Sequence, residues 1–244
     1  MDDLGNPVAV PQRVRRVVSL VPSLTESVAA TAPGLLVGAT DWCTHPEGLD
    51  VTRVRGTKNP DLDAIAGLEP DVVLANFEEN REQDLQALRE AGVPVWVTRV
   101  RTLAEAFTSL ERMLVQACRL DRPAWLDAAE RAWAEPYAGP RRSAIVPIWR
   151  RPWMVVGRDT FTGDVLRNLG VDNLYEDHPE RYPKIPLAEL VASAPDLVVL
   201  PDEPYAFSAG DGPESFPGLE CALVSGRLLT WYGPSLADAR TLLG

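Results

Sequence analysis

Leu62-Asp63-Ala64-Ile65-Ala66-Gly67-Leu68-Glu69-Pro70-Asp71-Val72-Val73-Leu74 decides the fold, because its layout returns as Leu187-Ala188-Glu189-Leu190-Val191-Ala192-Ser193-Ala194-Pro195-Asp196-Leu197-Val198-Val199-Leu200. In each copy a short amphipathic helix ends before a Pro-Asp pair that cannot continue it, and an apolar strand follows. The copies start at 62 and 187 in a chain of 244 residues, about half its length apart, which predicts two related lobes. A second correspondence, strand then polar loop then helix then Gly, runs from Val17 to Gly38 in one half and from Ala144 to Gly170 in the other.

Working outward, short Val- and Leu-rich runs alternate with helical patterns, the βα rhythm of a parallel sheet buried on both faces. Strands are predicted at Arg16–Leu20, Leu35–Gly38, Val72–Ala75, Val93–Val97, Ala144–Ile148, Met154–Val156, Leu197–Leu200 and Leu228–Thr230. Between the two groups, Thr102 to Tyr137 has no strand signal. Its spacing is helical: Leu103, Phe107, Leu110 and Leu114, then Trp125, Ala129 and Trp133, with Pro123 suited to the first turn of a second helix. The expected class is therefore α/β, with two Rossmann-like lobes of parallel sheet joined by a helical connector. The expected boundaries are 1–100, 101–139 and 140–244. Such lobes place a cleft at the carboxyl ends of their strands, where open α/β sheets bind ligands.

Composition bounds the partners. Lys plus Arg number 24 against 35 Asp plus Glu, a net charge of −11, so no bulk basic face exists for nucleic acid or an anionic membrane. Hydrophobic residues at 45% and charged residues at 24% are those of an ordinary globular chain, and a monomer is expected. Cys43, Cys118 and Cys221 have no CxxC spacing, which argues against a disulfide framework or a structural zinc site. The start, Met1-Asp2-Asp3-Leu4-Gly5-Asn6-Pro7, is acidic where an export signal is basic, and the run Val17 to Val21 is too short for one. The expected compartment is thus the cytoplasm; a misassigned start or a trimmed chain would make it extracytoplasmic.

Arg16-Val17-Val18-Ser19-Leu20-Val21-Pro22-Ser23-Leu24-Thr25-Glu26, Gly38-Ala39-Thr40-Asp41-Trp42-Cys43-Thr44-His45-Pro46, Gly56-Thr57-Lys58-Asn59-Pro60, Leu68-Glu69-Pro70-Asp71-Val72-Val73-Leu74, Gly157-Arg158-Asp159-Thr160-Phe161 and the closing Trp231-Tyr232-Gly233-Pro234 come in that order. Together they resemble the helical-backbone substrate-binding proteins of cobalamin, haem and ferric-siderophore ABC transporters, and the match is closest to the cobalamin-binding type. The resemblance implies two lobes bridged by a long helix, a ligand held by loops after the strands, and no catalytic turnover. It also implies an acidic residue on top of each lobe that salt-bridges to the permease. Asp63 fills that place in the first lobe; in the second, Ala188 stands at the matching position and Glu189 is displaced by one, about 100° round a helix.

Loops after strands carry Trp42, Phe77, Trp149, Trp153, Tyr205 and Tyr232, whose flat faces suit a corrinoid or porphyrin. His45 offers an imidazole to cobalt or iron. Ser23 and Thr25 can meet a ligand's polar groups, with Ser23 and Glu26 forming a capping box as the alternative. Asn76, Glu78, Glu79 and Asn80 crowd the end of the third strand, able either to bond corrin amides or to start the next helix. Arg150 and Arg151 supply guanidinium forks for carboxylates or a phosphate. The Gly-rich segment from Ala206 to Phe216 lacks a phosphate-cradling spacing and reads as a mobile flap. Cys43 beside His45 has no third orienting group, so no catalytic residue is assigned.

The expected function is non-catalytic capture of a cobalamin-like tetrapyrrole, with no intrinsic cofactor and a possible ABC permease as partner. Haem or a ferric siderophore is the alternative ligand. A cytosolic enzyme or metal-handling protein such as a chelatase is the alternative class, and it would need His45 and acids such as Glu78 to converge on one metal.

Overall fold

The computed structural model describes residues 1–244, which divide into two compact units. The first comprises Met1–Val100, Ala104–Ala128 and Tyr232–Pro234; the second comprises Arg101–Leu103, Ala129–Trp231 and Ser235–Gly244.

The first unit is built on β1 (Val17–Ser19), α1 (Pro22–Thr31), β2 (Leu36–Ala39), β3 (Thr52–Arg53), the small antiparallel pair β4 (Arg55–Gly56) and β5 (Asn59–Pro60), α2 (Leu62–Gly67), β6 (Val72–Asn76), α3 (Glu82–Glu90) and β7 (Val95–Thr98). Its five-stranded sheet is parallel throughout, in the order β3-β2-β1-β6-β7. Every residue of β1, β6 and β7 is buried, as the continuous apolar runs require. Val18, Val73, Ala75, Val95 and Val97 pack with Ile65 of α2 and with Leu85 and Leu88 of α3 into one core.

Two expectations change here. Helix α1 begins at Pro22, with extended Val21 as its cap and no capping side chain, so Ser23 is already inside the helix and forms no capping box with Glu26. Proline fixes the helical φ one residue earlier and has no N–H to satisfy. Helix α3 starts at Glu82, after Asn80 has been used to brace the preceding loop.

The connector is helical in two segments. Helix α4 (Leu103–Arg112) runs into a π-helical turn over Met113–Ala117, in which the Cys118 N–H reaches the Met113 carbonyl at 2.9 Å. Arg119 then takes a left-handed φ of 57°, and α5 (Ala124–Trp133) follows directly after Pro123.

The second unit holds β8 (Arg142–Ile145), β9 (Pro147–Trp149), β10 (Met154–Val155), α6 (Phe161–Asn168), β11 (Val171–Asn173), α7 (Leu187–Ala192), β12 (Leu197–Pro201), β13 (Cys221–Val224), α8 (Gly226–Thr230) and α9 (Leu236–Leu243). Its four-stranded parallel sheet runs β11-β8-β12-β13. The run expected as one strand, Ala144–Ile148, is split: β8 stays in the sheet, while β9 turns away into an antiparallel hairpin with β10. Pro147 at the split cannot donate to the ladder. The strand expected at Leu228–Thr230 is helix α8; the fourth strand is β13, a few residues earlier. Gly226 opens that helix at a close approach, since a Cβ there would lie 2.9 Å from the backbone N and O of Glu203.

The repeat read from the sequence is physical. Glu69 and Ala194, at equivalent positions before proline, both adopt left-handed φ, 43° and 47°. The aspartate after each proline then closes the same contact: Asp71 Oδ2 accepts from the Arg15 and Arg16 N–H groups (2.6 and 3.0 Å), and Asp196 Oδ2 from the N–H and hydroxyl of Ser143 (both 2.7 Å).

Candidate functional site

In the first unit the carboxyl ends of the parallel strands carry two loops with large exposed rings. After β2, the chain turns through Trp42, whose side chain is 66% exposed. Arg53 holds this loop from behind, one guanidinium nitrogen donating to the carbonyls of Thr40 and Cys43 at 2.9 and 3.0 Å and the other to Leu49 at 3.2 Å. Gly56 lets the indole lie close, for a Cβ there would stand 3.3 Å from its Nε1. Inside the loop, the Cys43 sulfur is buried 3.0 Å from the Thr25 hydroxyl and 3.1 Å from that of Thr40. Burial pushes this thiol up from its ordinary value, which suits a packing group and not a nucleophile. Ser23 and Thr25 are themselves buried, and Thr25 supports the loop from within through Cys43. His45 is half-buried, with Nδ1 3.2 Å from the Thr44 hydroxyl.

The second loop follows β6. Phe77 is 51% exposed, and Glu78 beside it is half-buried, its carbonyl accepting a bond from the Lys58 ammonium. Glu79 is open to solvent on one side, yet desolvation by the surrounding protein raises its carboxyl above the usual range; Lys58 opposes this and Glu78 adds to it. Tyr232 lies beneath this loop, buried and bonded to Asn76, so it supports the surface without forming part of it. Burial pushes its phenol well up, keeping it protonated at any physiological pH.

In the second unit Trp149, 44% exposed, ends β9 and meets Tyr205 edge to face at 5.6 Å. From there the rings continue inward: Tyr205 tilts on Phe207 at 4.7 Å, Phe207 stacks on Trp153 at 6.0 Å, and Trp153 meets Phe216 at 5.2 Å. Phe207 and Phe216 are buried in the core of this unit, so the Gly-rich segment expected as a mobile flap is anchored at both ends. Arg150 is engaged as well. It pairs with Asp211 and with Glu214 (2.6 Å), bonds the Ser215 hydroxyl at 3.1 Å and lies 5.4 Å over the Trp153 ring, while Asp211 also accepts from the Tyr205 hydroxyl at 2.6 Å. A cavity of about 320 Å³ lies beside Trp153, lined also by Pro152, Lys184, Ile185 and Pro186.

The structure therefore brings Trp42, Phe77 and Trp149 to the surface at strand ends, with His45, Glu78 and Tyr205 beside them. Thr25 and Tyr232 support these loops from below, Ser23 is buried within α1, and Trp153 and Arg150 belong to a packed aromatic and ionic cluster. Asp63 and Glu189 are exposed in the first turns of α2 and α7, Glu189 one residue beyond Ala188, which stands at the position equivalent to Asp63. Thr98, which ties the Phe77 loop to Tyr232, carried no signal in the sequence beyond its place at the end of a strand. Asp211 and Glu214 were equally silent, since an ion pair across 61 residues leaves no local spacing. Nowhere do three or more His, Cys, Asp or Glu side chains gather as a metal set.

These observations define an α/β protein of two units, with exposed aromatics at the ends of strands. The chain belongs to the periplasmic binding protein family, whose pattern matches residues 17–214. The proteins of this family hold a solute and perform no reaction on it. A vitamin B12-binding protein of Pectobacterium carotovorum is 22% identical over 205 residues, covering 80% of this chain and 73% of its own. Two crystal structures share the fold: the periplasmic vitamin B12-binding protein BtuF of Vibrio cholerae (TM-score 0.74, 18% identity, 93% of this chain and 94% of that one) and the periplasmic heme-binding protein RhuT of Roseiflexus (TM-score 0.78, 20% identity, 94% and 96%).

Proposed function

We propose that this protein captures a cobalamin-like tetrapyrrole without transforming it and presents it to an ABC importer. The observation that carries the reading is the exposure of Trp42 and Phe77, on loops at strand carboxyl ends, and of Trp149, the last residue of β9. Large rings left in water at such a place cost the free protein apolar exposure that a flat macrocycle can cover, and stacking on them needs little ordering of side chains. The vitamin B12- and heme-binding relatives support the same ligand class. A ferric siderophore fits less well. Such anionic ligands call for several open cations, whereas Arg150 is already paired with Asp211 and Glu214 and Lys58 is bonded to the Glu78 carbonyl, which leaves the exposed Arg151. Any metal arrives within the ligand's own macrocycle, with His45 as the side chain to offer an axial nitrogen. Asp63 and Glu189 are our candidates for permease docking, being exposed acids in the first turns of α2 and α7, although Glu189 is offset by one residue from the position that matches Asp63.

Calorimetric titration with hydroxocobalamin, with haemin as the comparison and the visible spectrum recorded alongside, tests the reading. We expect one-to-one binding of the corrinoid, weakened in Trp42→Ala. A spectral shift abolished in His45→Ala would identify the axial ligand. Preference for haemin would move the assignment to a porphyrin, and binding of neither would overturn it.

A further inference from the structure

The loop that displays Phe77 is held by an unusually complete set of buried polar bonds. The Asn76 side chain is at its centre. Its Nδ2 donates to Tyr232 Oη at 2.6 Å, to the Thr98 carbonyl at 3.1 Å and to Thr98 Oγ1 at 3.2 Å. Its Oδ1 accepts from the backbone N–H groups of Glu78 and Glu79 at 2.8 and 3.1 Å. Its own N–H donates to Asn80 Oδ1 at 2.9 Å, and Asn80 passes the connection on to the Thr57 carbonyl at 3.0 Å. Asn76, Asn80, Thr98 and Tyr232 are all buried.

Proton accounting gives this set a direction. Thr98 has one hydroxyl proton, and the Ala75 carbonyl lies 3.1 Å away to take it. The Thr98 oxygen is then left to accept, both from Asn76 and from the Tyr232 hydroxyl 3.3 Å away. The carboxamide is thereby fixed: its nitrogen must face Tyr232 and Thr98, so its oxygen must face the amides of the loop. The shortest bond in that lock is the one to Tyr232.

We propose that Tyr232 is a positioning residue for ligand capture: acting through Asn76, its hydroxyl holds the Phe77–Glu79 loop in the geometry that presents the Phe77 ring. The inference rests on the capture reading for its consequence, while the loop's dependence on Tyr232 stands on the hydrogen bonds alone. A purely structural tyrosine would lower the stability of the whole unit; a positioning one acts on this loop and on affinity through Phe77.

The test uses Tyr232→Phe in the full chain, which keeps the ring and removes only the hydroxyl. Amide exchange followed by NMR should quicken about tenfold at Glu78 and Glu79 while β1 exchanges as before, as expected for loss of a local buried bond. Hydroxocobalamin titrations then close a double-mutant cycle. Tyr232→Phe should weaken binding roughly fivefold when Phe77 is present and less than about twofold in a Phe77→Ala background. Unchanged exchange at Glu78 and Glu79 would overturn the proposal, and so would an equal loss of affinity in both backgrounds. If the unaltered protein takes up neither hydroxocobalamin nor haemin, it is the capture reading that fails. The amide exchange alone then upholds or overturns Tyr232 as the support of the loop.

Discussion

One carboxylate oxygen closes the start of each sheet, Asp71 in the first unit and Asp196 in the second, and both were visible as a Pro-Asp pair. What the pair does became clear only from the partners, Arg15, Arg16 and Ser143, which lie more than fifty residues away. The backbone and side-chain bonds from Ser143 hold the Asp196 carboxyl below its usual range, and Arg142 adds to this. Asp172 is lowered by Arg141, and Glu220 by Arg142. A carboxyl depressed in the folded state contributes stability above its unfolded value and loses it as pH falls toward the folded one. Urea midpoints should therefore drop between about pH 6 and about pH 3, and Asp196→Asn should flatten that slope. An unchanged slope would remove Asp196 from the account. At the proposed ligand surface, Trp42 is exposed, so Trp42→Ala should leave the thermal midpoint in place. It should weaken hydroxocobalamin binding by about 1–2 kcal/mol, some tenfold, by calorimetry. The rings were legible because they stand just after apolar runs. The pairing of Arg150 was not, because Asp211 and Glu214 reach it through the fold.

Among elements, legibility followed burial. The strands β1, β6, β7 and β12 were readable because both faces are covered and the sequence must be apolar throughout. Strand β11, Val171-Asp172-Asn173, was not read. Its buried Asn173 donates to the Val156 and Gly157 carbonyls, a compensation with no sequence signature. The apolar pair in Leu228-Leu229-Thr230 suited strand and helix alike; what decides for α8 is Gly226, with its N–H on Asp202 Oδ1 at 2.7 Å and no room for a Cβ. Gly226→Ala should thus cost about 1–3 kcal/mol, from displacing the Glu203 backbone, measured as a lower urea midpoint at unchanged slope. A midpoint equal to that of the unaltered chain would mean that the turn relaxes freely.

For the whole molecule, the capture reading makes a prediction independent of any substitution. A ligand that binds only the folded chain should stabilise it by about 2.7 kcal/mol at one hundred times its Kd, seen as a rise in melting temperature with hydroxocobalamin and none with an unrelated vitamin. Two repeated α/β units could be inferred from Pro70-Asp71 and Pro195-Asp196; the way the chain is shared between them could not. Tyr232–Pro234 belongs to the first unit although the chain on either side belongs to the second. Tyr232 lies 156 residues beyond the Asn76 it bonds. A ribosome adding roughly 5–20 residues per second needs on the order of ten seconds to cover that distance. Throughout that interval the nascent chain carries the strands of the first sheet but neither the Tyr232 hydroxyl that meets Asn76 nor the segment that carries it. The Phe77 loop thus gains its support from Tyr232 only after nearly all of the chain has been made, so a half-synthesised chain cannot yet hold that loop as the finished protein does.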